Sequence, residues 1–157
     1  MKLTVERTIE YQPAEGSALK ITLASCNVLT TGRYEHTYMP AAREWYIAAT
    51  ERKPEDVVKA VREKPTDLDA ETRWLLWLAD KCYGWALTIA SIQTIAECVN
   101  GKWKKTAIPE SWFNPGSYME SLPDDLSDEL MIQARVCNPH MFQPTDQEKK
   151  IGVLKVS

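Results

Sequence analysis

The stretch DLDAETRWLLWLADKCYGWALTIASIQTIAECV, residues 67–99, is the longest apolar segment of the chain and decides how the rest is arranged. Thr66 followed three residues later by Asp69 has the spacing of a capping box, so the spacing predicts a helix starting near Asp67. If that helix runs to Val99, Trp74, Leu78, Trp85, Ile89, Ile92, Ala96 and Val99 share one face. Leu76, Tyr83, Leu87 and Ala90 lie opposite, so the helix is apolar on two sides and belongs at the centre of the fold. Gly84 costs about 1 kcal/mol relative to Ala inside a helix, which marks it as a place for a kink or break. Asn100-Gly101 is the expected C-terminal stop.

Upstream, Val5, Ile9 and Tyr11 alternate with Thr4, Glu6, Thr8 and Glu10, the period of a half-buried strand. Pro13, Gly16 and Ser17 supply a turn, and Leu19, Ile21 and Leu23 alternate with Lys20, Thr22 and Ala24, so a hairpin is expected. Tyr34, His36 and Tyr38 before Pro40 suggest a third extended piece. Residues 41–50 fit a short helix. Residues 54–64 fit another, with Pro54 at its first turn, Glu55 and Asp56 at the positive end of the dipole, and Val57, Val58 and Val61 as its stripe.

Downstream, residues 102–120 contain two prolines and a glycine without a sustained period, and read as an ordered loop holding Trp103, Trp112, Phe113 and Tyr118. A last helix is expected over 123–137, opened by Pro123-Asp124-Asp125, carrying Leu126, Leu130 and Ala134, and stopped by Asn138-Pro139. The fold class is therefore α+β: an N-terminal β-hairpin or small antiparallel sheet followed by a mainly helical bundle with one long central helix. Residues 1–142 read as a single domain and residues 143–157 as a mobile tail in which Ile151, Val153, Leu154 and Val156 would fit a strand on a free sheet edge.

The 157 residues carry 19 Lys plus Arg against 22 Asp plus Glu, a net charge of -3, so no global positive field favours a nucleic-acid backbone. Glu6, Arg7 and Glu10 interrupt any signal-peptide core, and the charge-free stretch 82–96 falls short of the roughly 20 apolar residues a membrane span takes; a cytoplasmic location is expected. Cys26, Cys82, Cys98 and Cys137 are scattered, without a CxxC pair, and read as reduced core thiols. His36 and His140 have no ligand partners at metal spacing. Asp124, Asp125, Asp128 and Glu129 are what a helix dipole attracts to its first turns. Lys102, Trp103, Lys104 and Lys105 combine a stacking ring with three charges, yet in an acidic chain such a tract reads first as a solvated loop. No nucleophile elbow, phosphate loop or dinucleotide fingerprint is present, so no catalytic residue, metal or cofactor is expected. Six tryptophans and six tyrosines suit both a core and an interface.

Trp103, Pro109, the run Leu122-Pro123-Asp124-Asp125-Leu126 and Asn138-Pro139 give residues 99–139 a pattern that resembles the C-terminal part of tail assembly chaperones and related small tail-assembly proteins of long-tailed bacteriophages. The short β region followed by helices is similar in outline. Lys102, Lys104 and Lys105 depart from the acidic or glycine-rich turn common there. The resemblance implies a non-enzymatic protein of the host cytoplasm that binds the helical tape-measure protein and passes it to tail-tube subunits. A groove between helices 67–99 and 123–137, with Trp77, Trp103 and Trp112 as anchors, is the expected contact surface. The alternatives are a phage or mobile-element protein that inhibits a host protein by surface binding, and a structural component of a virion.

Overall fold

The computed structural model describes residues 4–141; the expected tail strand and the tail itself lie outside the described residues. Strands β1 (Glu6–Tyr11) and β2 (Leu19–Ala24) form the expected antiparallel hairpin, with Ile9 opposite Ile21 and Tyr11 opposite Leu19. Helices α1 (Val28–Arg33), α2 (Met39–Thr50), α3 (Pro54–Glu63) and α4 (Ala70–Ser91) follow, then β3 (Ile92–Val99), β4 (Lys102–Thr106), α5 (Pro115–Ser121) and α6 (Asp124–Cys137). The four strands make one antiparallel sheet in the order β1-β2-β3-β4, so the fold is α+β.

Four expectations need correction. Tyr34–Tyr38 is one turn of π-helix linking α1 to α2, not a strand. The Met39 N–H reaches back to the Tyr34 carbonyl, and this widened turn directly precedes Pro40, whose ring would otherwise press on the carbonyl four residues earlier. Second, the central helix starts at Ala70, with the Asp69 side chain accepting the Thr72 N–H at 2.7 Å, and ends at Ser91. From Ile92 the chain is a strand, as the β-branched residues Ile92, Thr94, Ile95 and Val99 favour. Third, Asn100 and Gly101 both have positive φ (52° and 77°) and form the two-residue turn of the β3–β4 hairpin, not a helix stop. Fourth, residues 102–120 are not a loop: they hold β4, a 3₁₀ turn over Glu110–Phe113 and α5.

α4 runs unbroken through Gly84. A side chain there would strike Met131 of α6, so the glycine is what lets the two helices cross closely. Every residue from Gly84 to Ser91 is buried, as a helix surrounded by other elements requires. Around it, Ile9, Ile21, Leu23 and Ile95 of the sheet, Ala42 and Tyr46 of α2, and Leu126, Leu130 and Ala134 of α6 form one continuous apolar cluster. The Tyr46 hydroxyl donates to the Leu75 carbonyl at 2.8 Å and the Trp85 indole N–H to the Trp112 carbonyl at 2.7 Å, so these large polar-tipped rings are buried with partners.

A second junction closes the bundle on the sheet. The fully buried Asn138 side chain accepts the Cys26 N–H at 2.7 Å and donates to Ser91 Oγ and the Ala134 carbonyl, each at 2.9 Å. One amide thus joins the end of β2, the end of α4 and the end of α6.

Candidate functional groove

Where α2, α4, α5 and α6 meet at the surface, Trp45, Trp77, Leu78, Met119 and Leu122 line an open, mainly apolar groove of about 330 Å³. Each wall follows from local sequence. Trp77 stands three residues before Asp80 and one before buried Leu78, so α4 turns its ring to the margin of the core, where it is 52% exposed. Trp45 lies against α5 because residue 116 is glycine: a Cβ there would sit 2.7 Å from the Trp45 indole nitrogen. Asn114 caps α5 by accepting the Ser117 N–H at 3.0 Å, and this fixes Met119 on the groove side.

The groove's charge is arranged at its rim. Lys81, with a side chain only 13% exposed, pairs with Asp128 and lies 5.7 Å from the centre of the Trp77 ring. With Lys81 neutralised in this way, Glu120 and Asp124 leave the mouth negative. The helix-start acids therefore have separate local duties. Asp125 accepts the Tyr11 hydroxyl at 3.1 Å, tying α6 to β1, while Asp128 holds Lys81.

The structure places the three expected anchors in three different environments. Trp77 lines the groove. Trp112 is 7% exposed, edge-on to Tyr118 with ring centres 6.0 Å apart, and so belongs to the core instead of a contact surface. Trp103 is on the outer face of the sheet, opposite Cys98, with Lys20 Nζ 4.4 Å from its ring centre. The groove does lie beside α4 and α6, but α2 and α5 build its other walls. Trp45, on the helix expected over residues 41–50, is the second aromatic wall, and no signal in the sequence pairs it with Gly116, which stands in a stretch without period.

The remaining candidates are also placed. Strand alternation separates the basic tract, with Trp103 and Lys105 on the outer face and Lys102 and Lys104 on the inner. The His36 side chain is largely exposed, and among the described residues no group of His, Cys, Asp and Glu could hold a metal ion. Cys82 and Cys137 are buried while Cys26 and Cys98 are partly exposed; all four are free thiols. Burial pushes the Cys82 thiol up to about 12, which removes it from nucleophilic chemistry near neutral pH. No helix among the described residues is long and apolar enough to cross a membrane. Comparison of the chain with protein-family models, with curated proteins and with solved structures finds no match.

Proposed function

We propose that this is a non-enzymatic binding protein of the tail assembly chaperone kind, whose groove takes one apolar edge of an amphipathic helix in an elongated partner such as a tape-measure protein. The observation that carries the reading is the groove itself, an open apolar trough walled by two tryptophans on rigid helices. Aromatic side chains held on such a scaffold give large contact area at small entropic cost, the property of binding hot spots. The negative rim adds a preference: the partner helix carries Lys or Arg beside its apolar row. The pattern of residues 99–139 supports the phage assignment, and with it a place in the host cytoplasm, where the partner helix is covered until tail-tube subunits replace the groove.

A photo-crosslinking amino acid at position 120, on the groove rim, and another at exposed position 62 of α3 test the proposal in infected cells. The expected result is a crosslink to a long helical phage protein from position 120 alone, lost when Trp77→Ala is added. Crosslinks from position 120 to a host enzyme would replace the chaperone reading by the inhibitor reading. Equal crosslinking from both positions would remove the groove from the account.

A further inference from the structure

We propose that copies of this chain join through their sheet edges, β4 of one copy pairing with β1 of the next to continue the antiparallel sheet. This rests on the two edges and not on the groove, and it holds whatever the groove binds. Among the described residues the sheet order leaves β1 and β4 as its two outer strands. Val99 and Lys102 flank a two-residue turn, so they exchange both hydrogen bonds, and the N–H and C=O groups of Trp103 and Lys105 point away from β3. The Cys98 N–H, which donates to the Ala18 carbonyl at 2.9 Å, fits this alternation. On β1, Ser25 donates to the Val5 carbonyl at 2.9 Å, so the odd residues face β2 and the backbone groups of Glu6, Thr8 and Glu10 point outward.

Charge selects the pairing. A β4-to-β4 contact would oppose lysines and a β1-to-β1 contact glutamates, which is how natural edges discourage self-association. A β4-to-β1 contact sets lysine beside glutamate. Strand direction permits it, because four alternating strands make β4 antiparallel to β1. In one register Lys105 lies opposite Thr8, diagonal to both Glu6 and Glu10, while Lys104 opposes Ile9 and Thr106 opposes Arg7, so no like charges stand directly opposite, and the one like-charge diagonal, Lys104 to Arg7, is outnumbered by the two opposite-charge diagonals of Lys105. The same register brings Lys102 opposite Tyr11, whose hydroxyl is held by Asp125. Room exists as well: β4 is exposed along its whole length, whereas α6 packs beneath β1 and β2. The contact is heterologous, so it closes into a ring or propagates.

Sedimentation velocity on the full chain, from low to high micromolar at low and high salt, tests the inference. The expected result is a mass that grows with concentration, more steeply at low salt. Lys105→Glu should weaken association by about tenfold, since it reverses a cross-strand charge pair. Thr8→Pro and Lys105→Pro each remove an outward N–H from one edge without touching the internal ladder. Each alone should be monomeric, with far-UV circular dichroism unchanged, and an equimolar mixture should give a one-to-one dimer and nothing larger. A wild-type chain that stays monomeric at every concentration would overturn the proposal. So would association that survives Lys105→Glu undiminished, or a mixture that assembles no further than its components.

Discussion

Replacing Asn138 by Asp keeps the shape of the side chain and exchanges its NH2 donor for a carboxyl oxygen, which makes it a sharp probe of the junction between β2, α4 and α6. In the native protein the amide donates two hydrogen bonds, to Ser91 Oγ and the Ala134 carbonyl, and accepts one from the Cys26 N–H. An aspartate can still accept from Cys26, but when ionised it has nothing to donate and faces two oxygen acceptors at full burial. The two lost bonds alone are worth about 1 kcal/mol each. Burial of the charge adds more, because desolvation lifts the folded-state pKa above the unfolded value of roughly 4. With the folded value raised, the native state of the variant binds the proton more tightly than the unfolded chain. Its stability is then fully present below about pH 4 and falls by about 1.4 kcal/mol per pH unit until the folded pKa is reached. If that value is near 7, the difference from wild type widens by about 4 kcal/mol between pH 4 and 7. Urea titrations of both proteins across this range measure the difference directly, because carboxylates common to the two cancel. Asn138→Ala, which cannot titrate, should cost about 3 kcal/mol at every pH, one unit for each bond lost. A difference between Asn138→Asp and wild type that is small and flat with pH would refute the buried three-way junction.

Other perturbations separate core from surface. Trp77→Ala should leave the melting temperature nearly unchanged, because the ring is half exposed, and should weaken partner binding by about 2 kcal/mol; Trp112→Ala should do the reverse, losing about 3–5 kcal/mol of stability measured by urea titration. Gly84→Ala should destabilise by about 1 kcal/mol, since overpacking against Met131 exceeds the gain in helix propensity, and the sign should invert in a Met131→Ala background; simple additivity of the two changes would be the contrary result. Iodoacetamide at mildly alkaline pH should label Cys26 and Cys98 in the folded protein and leave Cys82 and Cys137 unreacted until denaturant is added. At high pH the buried Cys82 and Tyr118 and the half-buried Tyr83 act together: burial raises Cys82 and Tyr83 to about 12 and Tyr118 further still, from ordinary values of 9.0 and 10.0. Their folded-state values lie above the unfolded ones, so the stability they contribute is intact below about pH 9 and is lost as pH rises toward 12; tyrosinate absorbance should therefore appear together with loss of near-UV circular dichroism.

The amphipathic signals that depend on near neighbours were legible in the sequence. The hairpin of β1 and β2, the helices α2, α3 and α6, and the central position of α4 follow from alternation, from prolines and acids at helix starts, and from a segment apolar on two sides. The end of the central helix was not legible, for a specific reason. Ile92 and Ile95 are three residues apart, which on a helix is one face, and the helical period continues through them from Ile89. In the structure both are buried on a strand. Thr22 pairs with Thr94 and Leu23 with Ile92, so the register skips Gln93, and this bulge turns two residues of odd spacing toward the same side. A strand with a bulge thus imitates the helical period over one step. Asn100-Gly101 could not decide between the two, because a helix stop and a hairpin turn both want positive φ. What distinguished them was composition: β-branched residues before the turn and Lys102-Trp103-Lys104-Lys105-Thr106 after it, a short strand whose lysines suit an open edge.

The candidate groove illustrates the opposite limit. Trp77 could be named as a ring on the long central helix beside the expected groove, but Trp45 faces it only because α5 brings Gly116 against the indole. That contact depends on a seven-residue helix inside a stretch without period, capped by Asn114 and started by Pro115. Trp112 was indistinguishable from Trp77 by residue type alone; in the fold its ring packs edge-on to Tyr118 in the core, and its carbonyl accepts the Trp85 indole N–H at 2.7 Å. Tryptophans in such a chain sort into core and surface by the partners their neighbours find, which is why sequence could list the rings and only the fold could assign them. The two surfaces differ in what holds them. The groove is walled by side chains on helices that are fixed by the core, so its loss follows from one truncation, Trp77→Ala, at little cost to folding. The β4 edge is held by one hairpin partner and is exposed throughout, so it responds to charge and to backbone N–H groups more than to any one apolar residue.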